Sequence, residues 1–276
     1  MSYLLMEIKK KIERLRQIVE LAKSGTYKFS FLLAIIEKAT DATNRLSLRK
    51  ITARFLCDYR QIVGLIGKEN MRETPEELKV LIGLLMDENY VLEERAELGL
   101  KGYLAFLKYF NSLGIKKDPE PPSRRLELAR KITDHAETLD ISRGHPVITV
   151  CVASIYGNMD ARGILKVDPK GKFNPSNALG DIMSFYRFAK AKFVVQARIP
   201  GLPVVFRTED ESLERMHAYY VAHASIKNNG EMHFSFYDLN AKKMFPRLYK
   251  QGSIKKKELD ELYKMLNFSK SVKNNV

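Results

Sequence analysis

Residues 218–239, "AYYVAHASIKNNGEMHFSFYDL", carry the clearest β-signal in the chain. Two runs rich in β-branched and aromatic residues flank Asn229-Gly230. That dipeptide suits a tight two-residue hairpin turn, whose central positions need positive φ. Elsewhere the apolar spacing is mostly helical. The pattern therefore predicts a mainly α, two-lobed protein, with an N-terminal helical lobe and a C-terminal α+β lobe that contains one β-hairpin.

Working outward, Leu5, Ile8, Ile12, Leu15, Val19 and Ala22 recur every three or four residues, predicting a helix from Tyr3 that Gly25 closes. A second helix is expected through residues 27–39, and a third over 48–66 behind Ser47. Thr74-Pro75-Glu76-Glu77 combines a cap, a proline at the first helical position and a reciprocal glutamate. A long helix is expected over about 90–113. Pro119, Pro121 and Pro122 then mark a corner, which divides the chain into a helical domain over 1–117, a linker over 118–123 and a basic α+β domain with a polar tail over 124–276. Further helices are expected over about 124–138, 147–156 and 175–197, the last behind Asn174-Pro175. Residues 199–212 suggest a short strand and then an acidic helix start. A final helix over 255–268 has Ser253 as its expected cap.

With 276 residues and 45% hydrophobic content, the chain has the composition of a globular protein. Its apolar runs fall short of the ~18–20 residues needed to cross a bilayer, so no membrane span is expected. The N-terminus lacks the apolar block of a secretory signal. Two cysteines, Cys57 and Cys151, form neither a disulfide framework nor a zinc-ligand set, which predicts a cytoplasmic protein without a metal.

The formal charge of +14 is unevenly spread. Residues 161–200 hold eight bases against two acids, and residues 241–276 hold ten against three. Concentrated positive charge attracts polyanions. In the first block, Lys166, Lys170 and Lys172 lie in a turn-rich stretch, and Arg187, Lys190 and Lys192 lie on the helix that follows. Ile182, Phe185, Tyr186, Ala189 and Phe193 form the core stripe of that helix. Phe188 falls off the stripe beside the bases, where a ring could stack on a nucleobase while lysines track phosphates. Lys255, Lys256 and Lys257 begin the last helix, where positive charge opposes the macrodipole and so serves something other than helix stability.

Histidines and carboxylates supply the alternatives. His223-Ala-Ser225 and His233-Phe-Ser235 form a twinned His-x-Ser pattern similar to that of two-histidine phosphoesterases. A two-residue turn pairs residues of opposite parity, however, and so predicts that the two histidines lie on opposite faces of the ribbon; they could share a phosphate or metal only if the turn held three residues. Arg130 and His135 have the Arg-x4-His spacing that resembles the helical RNases called HEPN, although five helical residues separate side chains by about 140°. Asp168-Pro-Lys170 has the form of the acid-x-Lys pair of metal-dependent nucleases. With Asp160, Glu209, Asp210 and Glu211 it could hold Mg²⁺, but Pro169 and Gly171 predict a turn rather than the strand that pair occupies.

"SGTYKFSFLLAIIEKATD" followed by "LRKITARFLCDYRQ", within residues 24–66, resembles the helical module that precedes the catalytic domain in HNH-type restriction endonucleases. The resemblance implies a module working near DNA in a defence or mobile-element setting. The chain has no His-Asn-His metal finger, so nuclease activity is not implied.

The leading expectation is a non-enzymatic nucleic-acid-binding protein, nucleoprotein-like or accessory, that binds RNA or single strands and has no cofactor. Its expected partners are RNA or DNA, and a homo-oligomer is compatible with a coating role. The alternatives are a nuclease requiring Mg²⁺ and a protein-interaction module for an acidic partner.

Overall fold

A computed structural model describes residues 3–39, 41, 46–87, 101–119, 123–227, 232–250 and 253–268. The chain divides into two units, Met1–Gly99 and Leu100–Val276. Among the described residues it is mainly helical, with twelve α-helices, a small antiparallel hairpin near the C-terminus and one further pair of two-residue strands after it.

The first unit contains α1 (Tyr3–Lys23), α2 (Leu32–Ala39), α3 (Leu48–Ile66) and α4 (Pro75–Met86). Ile51, Phe55, Tyr59 and Ile66 form a stripe along α3 that is buried against Ala22, Ile35, Ile36, Leu78 and Ile82. Fully burying an aliphatic side chain contributes about 1.5–3 kcal/mol, so this stripe, rather than helix propensity, positions α3. The helix expected from residue 27 begins only at Leu32. Phe29 instead pairs with the segment after α3: its N–H donates to the Asn70 carbonyl and its carbonyl accepts from Arg72, both at 2.8 Å. Glu73 then accepts from the Phe31 amide at 3.1 Å, at the entry to α2.

Thr74 completes the expected capping box. Its hydroxyl accepts from the Glu77 amide at 3.2 Å, and the Glu77 carboxylate accepts from the Thr74 amide at 2.8 Å. Thr74→Ala should lower the thermal midpoint of the first unit by about 4–8 °C, the shift expected when a cap is removed from a domain of this size. Circular dichroism melts of both proteins would measure it.

The second unit contains α5 (Lys101–Ser112), α6 (Arg124–Glu137), α7 (Pro146–Ile155), α8 (Met159–Leu165), α9 (Pro175–Arg198), α10 (Glu211–His217), α11 (Ala241–Met244) and α12 (Lys256–Met265). All ten residues of α7 are buried. A helix that is buried on every side belongs at the centre, and α5, α6, α8 and α9 pack around it. Phe106, Leu107 and Phe110 of α5 lie in this same core. The division between units therefore falls before α5, at Gly99–Leu100, and not at the proline corner. Pro121, Pro122 and residues 90–100 of the expected long helix lie outside the described residues, as does the polar tail from residue 269.

Strands β1 (Tyr220–Ile226) and β2 (Met232–Leu239) form the hairpin. Their register corrects the expected tight turn. Ile226 pairs with Met232, so residues 227–231 connect the strands, and the Asn229-Gly230 dipeptide itself lies outside the described residues. The ladder runs through Ser225↔His233, Ala224↔Phe234 and His223↔Ser235 before a register shift between Val221 and Ala222. Ala222 is buried, and Ala224 and Phe234 pack against the core. The apolar set chose this register, because a one-residue slip would turn it to solvent.

The strand suggested within 199–212 does not form; those residues have no sheet partner before Asp210 caps α10. Ser253 lies in a short pairing of Tyr249–Lys250 (β3) with Ser253–Ile254 (β4), and the cap position of α12 belongs to Lys255, without a side-chain cap bond.

Candidate nucleic-acid interface

Structure disperses the first basic block. Lys166 ends α8 in the left-handed conformation and forms an ion pair with Asp210 at 3.0 Å. Lys170 and Lys172 are exposed in the turn before α9. Arg187 is only 8% exposed, so the expectation that it holds a phosphate is corrected: it faces inward beside the core stripe. Lys190 and Lys192 are half-buried near the far end of α9. Phe188 is also drawn inward. Its ring packs 5.6 Å from that of Phe206 and edge-on to His217, which occupies it as a stacking surface. At 1.5 Å per helical residue, Lys172 and Lys192 stand about 25–30 Å apart along α9. That separation makes the block two patches rather than one.

The second block is more concentrated. Lys255, Lys256 and Lys257 are exposed together where α12 begins. Lys255 lies 3.6 Å from Glu258, whereas Lys256 and Lys257 have no ion pair among the described residues. The start of α12 has no side-chain cap. Its free amides and the three ammonium groups therefore carry the same sign of charge. Leu259, Leu262 and Tyr263 anchor the helix in the core, and α12 packs on α6. The lysines are thus presented from a fixed base.

Each candidate carboxylate with a described partner has a structural role. Asp160 accepts from Arg215 at 2.8 Å and from the Tyr219 hydroxyl at 3.0 Å. Asp210 caps α10 by accepting from the Ser212 and Leu213 amides. Partial burial pushes the Asp210 carboxyl up, but the amides of Leu213 and Ser212 and the Lys166 ammonium outweigh it and hold the group below its ordinary range. Asp168 pairs with Lys116 at 3.1 Å and lies over Gly171, where any side chain would collide with it. Because α8 and α10 run antiparallel, with Asp160 on Arg215 and Lys166 on Asp210, Asp160 and Asp210 sit at opposite ends of the pair, about 7–8 Å apart along the axis. Gly163 permits that close packing, since a side chain there would meet Ser212. Glu209 is exposed and Glu211 half-buried, the latter 3.3 Å from Arg215. Among the described residues no three His, Cys, Asp or Glu side chains gather as a metal-ligand set.

A further ionic cluster had no sequence signal. Asp118 receives both Arg162 and Arg247. Partial burial pushes its carboxyl up, but the Arg162 hydrogen bond and the charges of both arginines prevail and hold it below its usual range. The three residues are 44 and 85 positions apart in sequence, so only the fold brings them together.

Two histidines are structural. His145 caps α7: its Nδ1 accepts from the Val147 amide at 3.1 Å, and its ring stacks on Tyr103 at 4.3 Å. His217 is sandwiched between Phe185 and Phe206, with Ser184 Oγ 2.9 Å from Nε2. Burial holds both well below the usual imidazole range, at about 3. Arg130 and His135 diverge, as their helical spacing dictates. Arg130 pairs with Glu261 of α12, while the His135 ring lies 3.7 Å from that of Tyr109 on α5.

Among the described residues no helix is long and apolar enough to cross a membrane. No protein family, curated protein or solved structure matches the chain.

Proposed function

We propose that this chain is a non-enzymatic nucleic-acid-binding protein of the cytoplasm, and that the second unit holds single-stranded RNA or DNA by its phosphates. The observation that carries the reading is the cluster of three exposed lysines at the uncapped start of α12. Lys170 and Lys172 form a second, smaller patch. Arg187 and Phe188 take no part, because the fold uses both internally. Recognition of this kind is led by charge: each neutralised phosphate releases counterions, and the affinity depends steeply on salt. Sequence preference is then weak, since lysines on phosphates carry no base information. The two free cysteines, one exposed and one buried, suit a reducing compartment.

The test is fluorescence anisotropy with labelled 20-nucleotide RNA and DNA of one sequence, over a salt series. Affinity should fall linearly on a log–log plot. Replacing Lys255, Lys256 and Lys257 together by alanine should flatten the slope by about 2, because each phosphate no longer neutralised on a single strand takes away ~0.7. Lys170→Ala/Lys172→Ala should flatten it by about 1.4 on the same basis. Absence of binding at low salt would reject the reading in favour of an acidic protein partner. An unchanged slope in the triple variant would remove α12 from the interface.

A further inference from the structure

The hairpin register puts His223 and His233 on one face. Five residues connect the strands, so paired residues share parity: His223 lies opposite Ser235, and Ser225 opposite His233. Directly paired residues of an antiparallel ladder share a face, as do residues two apart along a strand. His223, Ser225 and His233 therefore occupy the face that alternates with Ala222, Ala224 and Phe234, which pack inward. Exposure agrees: Ser225 and His233 are exposed and His223 is half-buried.

The two histidines are diagonal neighbours, a relation that places residues about 7–8 Å apart, and somewhat less between Cβ atoms. Two imidazoles springing from that separation can converge on one point above the ribbon, with metal–nitrogen bonds of about 2.0–2.1 Å. Imidazole nitrogen suits Zn²⁺, Ni²⁺ and Cu²⁺, and ill suits Mg²⁺ or Ca²⁺, which take oxygen. The ribbon beneath is anchored to the core. Phe234 packs 4.6 Å from the Tyr186 ring of α9, and β1 runs along the same helix. The spacing of the pair is therefore set by the fold before any ion arrives.

We propose that His223 and His233 together bind one nitrogen-preferring divalent ion, with Zn²⁺ as the probe ion and water completing its coordination. The site is independent of the lysine interface. Binding displaces water and, where an imidazole is protonated, a proton; it changes no oxidation state.

Calorimetric titration of the tag-free, chelator-treated full chain with Zn²⁺ tests this. One ion per chain is expected, and His223→Ala and His233→Ala should each weaken binding at least tenfold. The exchange His223→Ser/Ser225→His moves one imidazole directly opposite the other on the same face, and should keep affinity within a few-fold of the parent. Because the altered positions lie on the outward face, circular dichroism should be unchanged. Failure of the parent chain to bind Zn²⁺, or full affinity in either single variant, would overturn the proposal.

Discussion

Acidification from pH 7 to pH 4 is expected to unfold the second unit, and two buried histidines are the cause. His145 and His217 are both held neutral at about 3 by burial, while an unfolded imidazole titrates near 6.5. Between those values the unfolded chain binds more protons than the folded one, so stability is complete above pH ~6.5 and is lost as pH falls towards 3. Each histidine contributes a slope of about 1.4 kcal/mol per pH unit. At pH 5 that amounts to about 2 kcal/mol apiece, against a total stability of order 5–15 kcal/mol for a typical domain. The geometry explains why neither side chain can accept its proton in place. Protonated Nδ1 of His145 could no longer accept from the Val147 amide, and a charged His217 would lie between two phenyl faces away from water. Urea unfolding from pH 7 to 4 measures the slope. His217→Phe should remove one proton from it, and His145→Asn, which keeps a capping side chain, should remove the other. A slope unchanged by both substitutions would show that other groups govern the acid transition.

Asn158→Ala is the second large effect, expected to cost about 3–5 kcal/mol. Asn158 is 2% exposed and serves four partners at once. Its Oδ1 caps α8 by accepting from the Ala161 amide at 2.8 Å, and it also accepts from the Tyr219 hydroxyl at 3.1 Å. Its Nδ2 donates to the Lys243 and Met244 carbonyls at 3.1 and 3.3 Å. Removing a cap costs about 1 kcal/mol, and each buried polar group left without a partner about 1–3 kcal/mol. Tyr219 keeps its bond to Asp160 and Lys243 is at the surface, so the sum stays below the additive maximum. Chemical denaturation of Asn158→Ala and Asn158→Asp would separate the two halves of the role, because aspartate retains the cap and loses the donor. A destabilisation below about 1 kcal/mol for alanine would mean that water replaces the amide.

The legible parts of the fold are those written in local chemistry. Thr74-Pro75-Glu76-Glu77 and Asn174-Pro175 mark helix starts because the capping atoms lie within three residues of the amides they satisfy. The mainly α class with one hairpin follows from periodicity. What escapes depends on distant partners. Residues 27–31 leave the helix because Phe29 pairs beyond α3, and α8 is too short for a periodicity to show. Arg187 falls on a charged flank by its angle on the helix, but α9 has neighbours on more than one side. The histidine pair is hidden by the assumption of a two-residue turn. Its signal is nonetheless present, since Ala222, Ala224 and Phe234 share parity and must face the core together.

The all-buried α7 also sets an order of events in time. Its ten buried residues are complete once residue 155 is made, yet the end of the helix is closed by groups far downstream: the Tyr156 hydroxyl donates to Glu258, and Leu262 and Leu266 finish the surrounding core. At about 5–20 residues per second, roughly 5–20 s of synthesis separate the two. During that interval this fully buried helix is a nascent segment without its final cover. Shielding that segment during synthesis, as a chaperone does, should therefore raise the yield of folded protein.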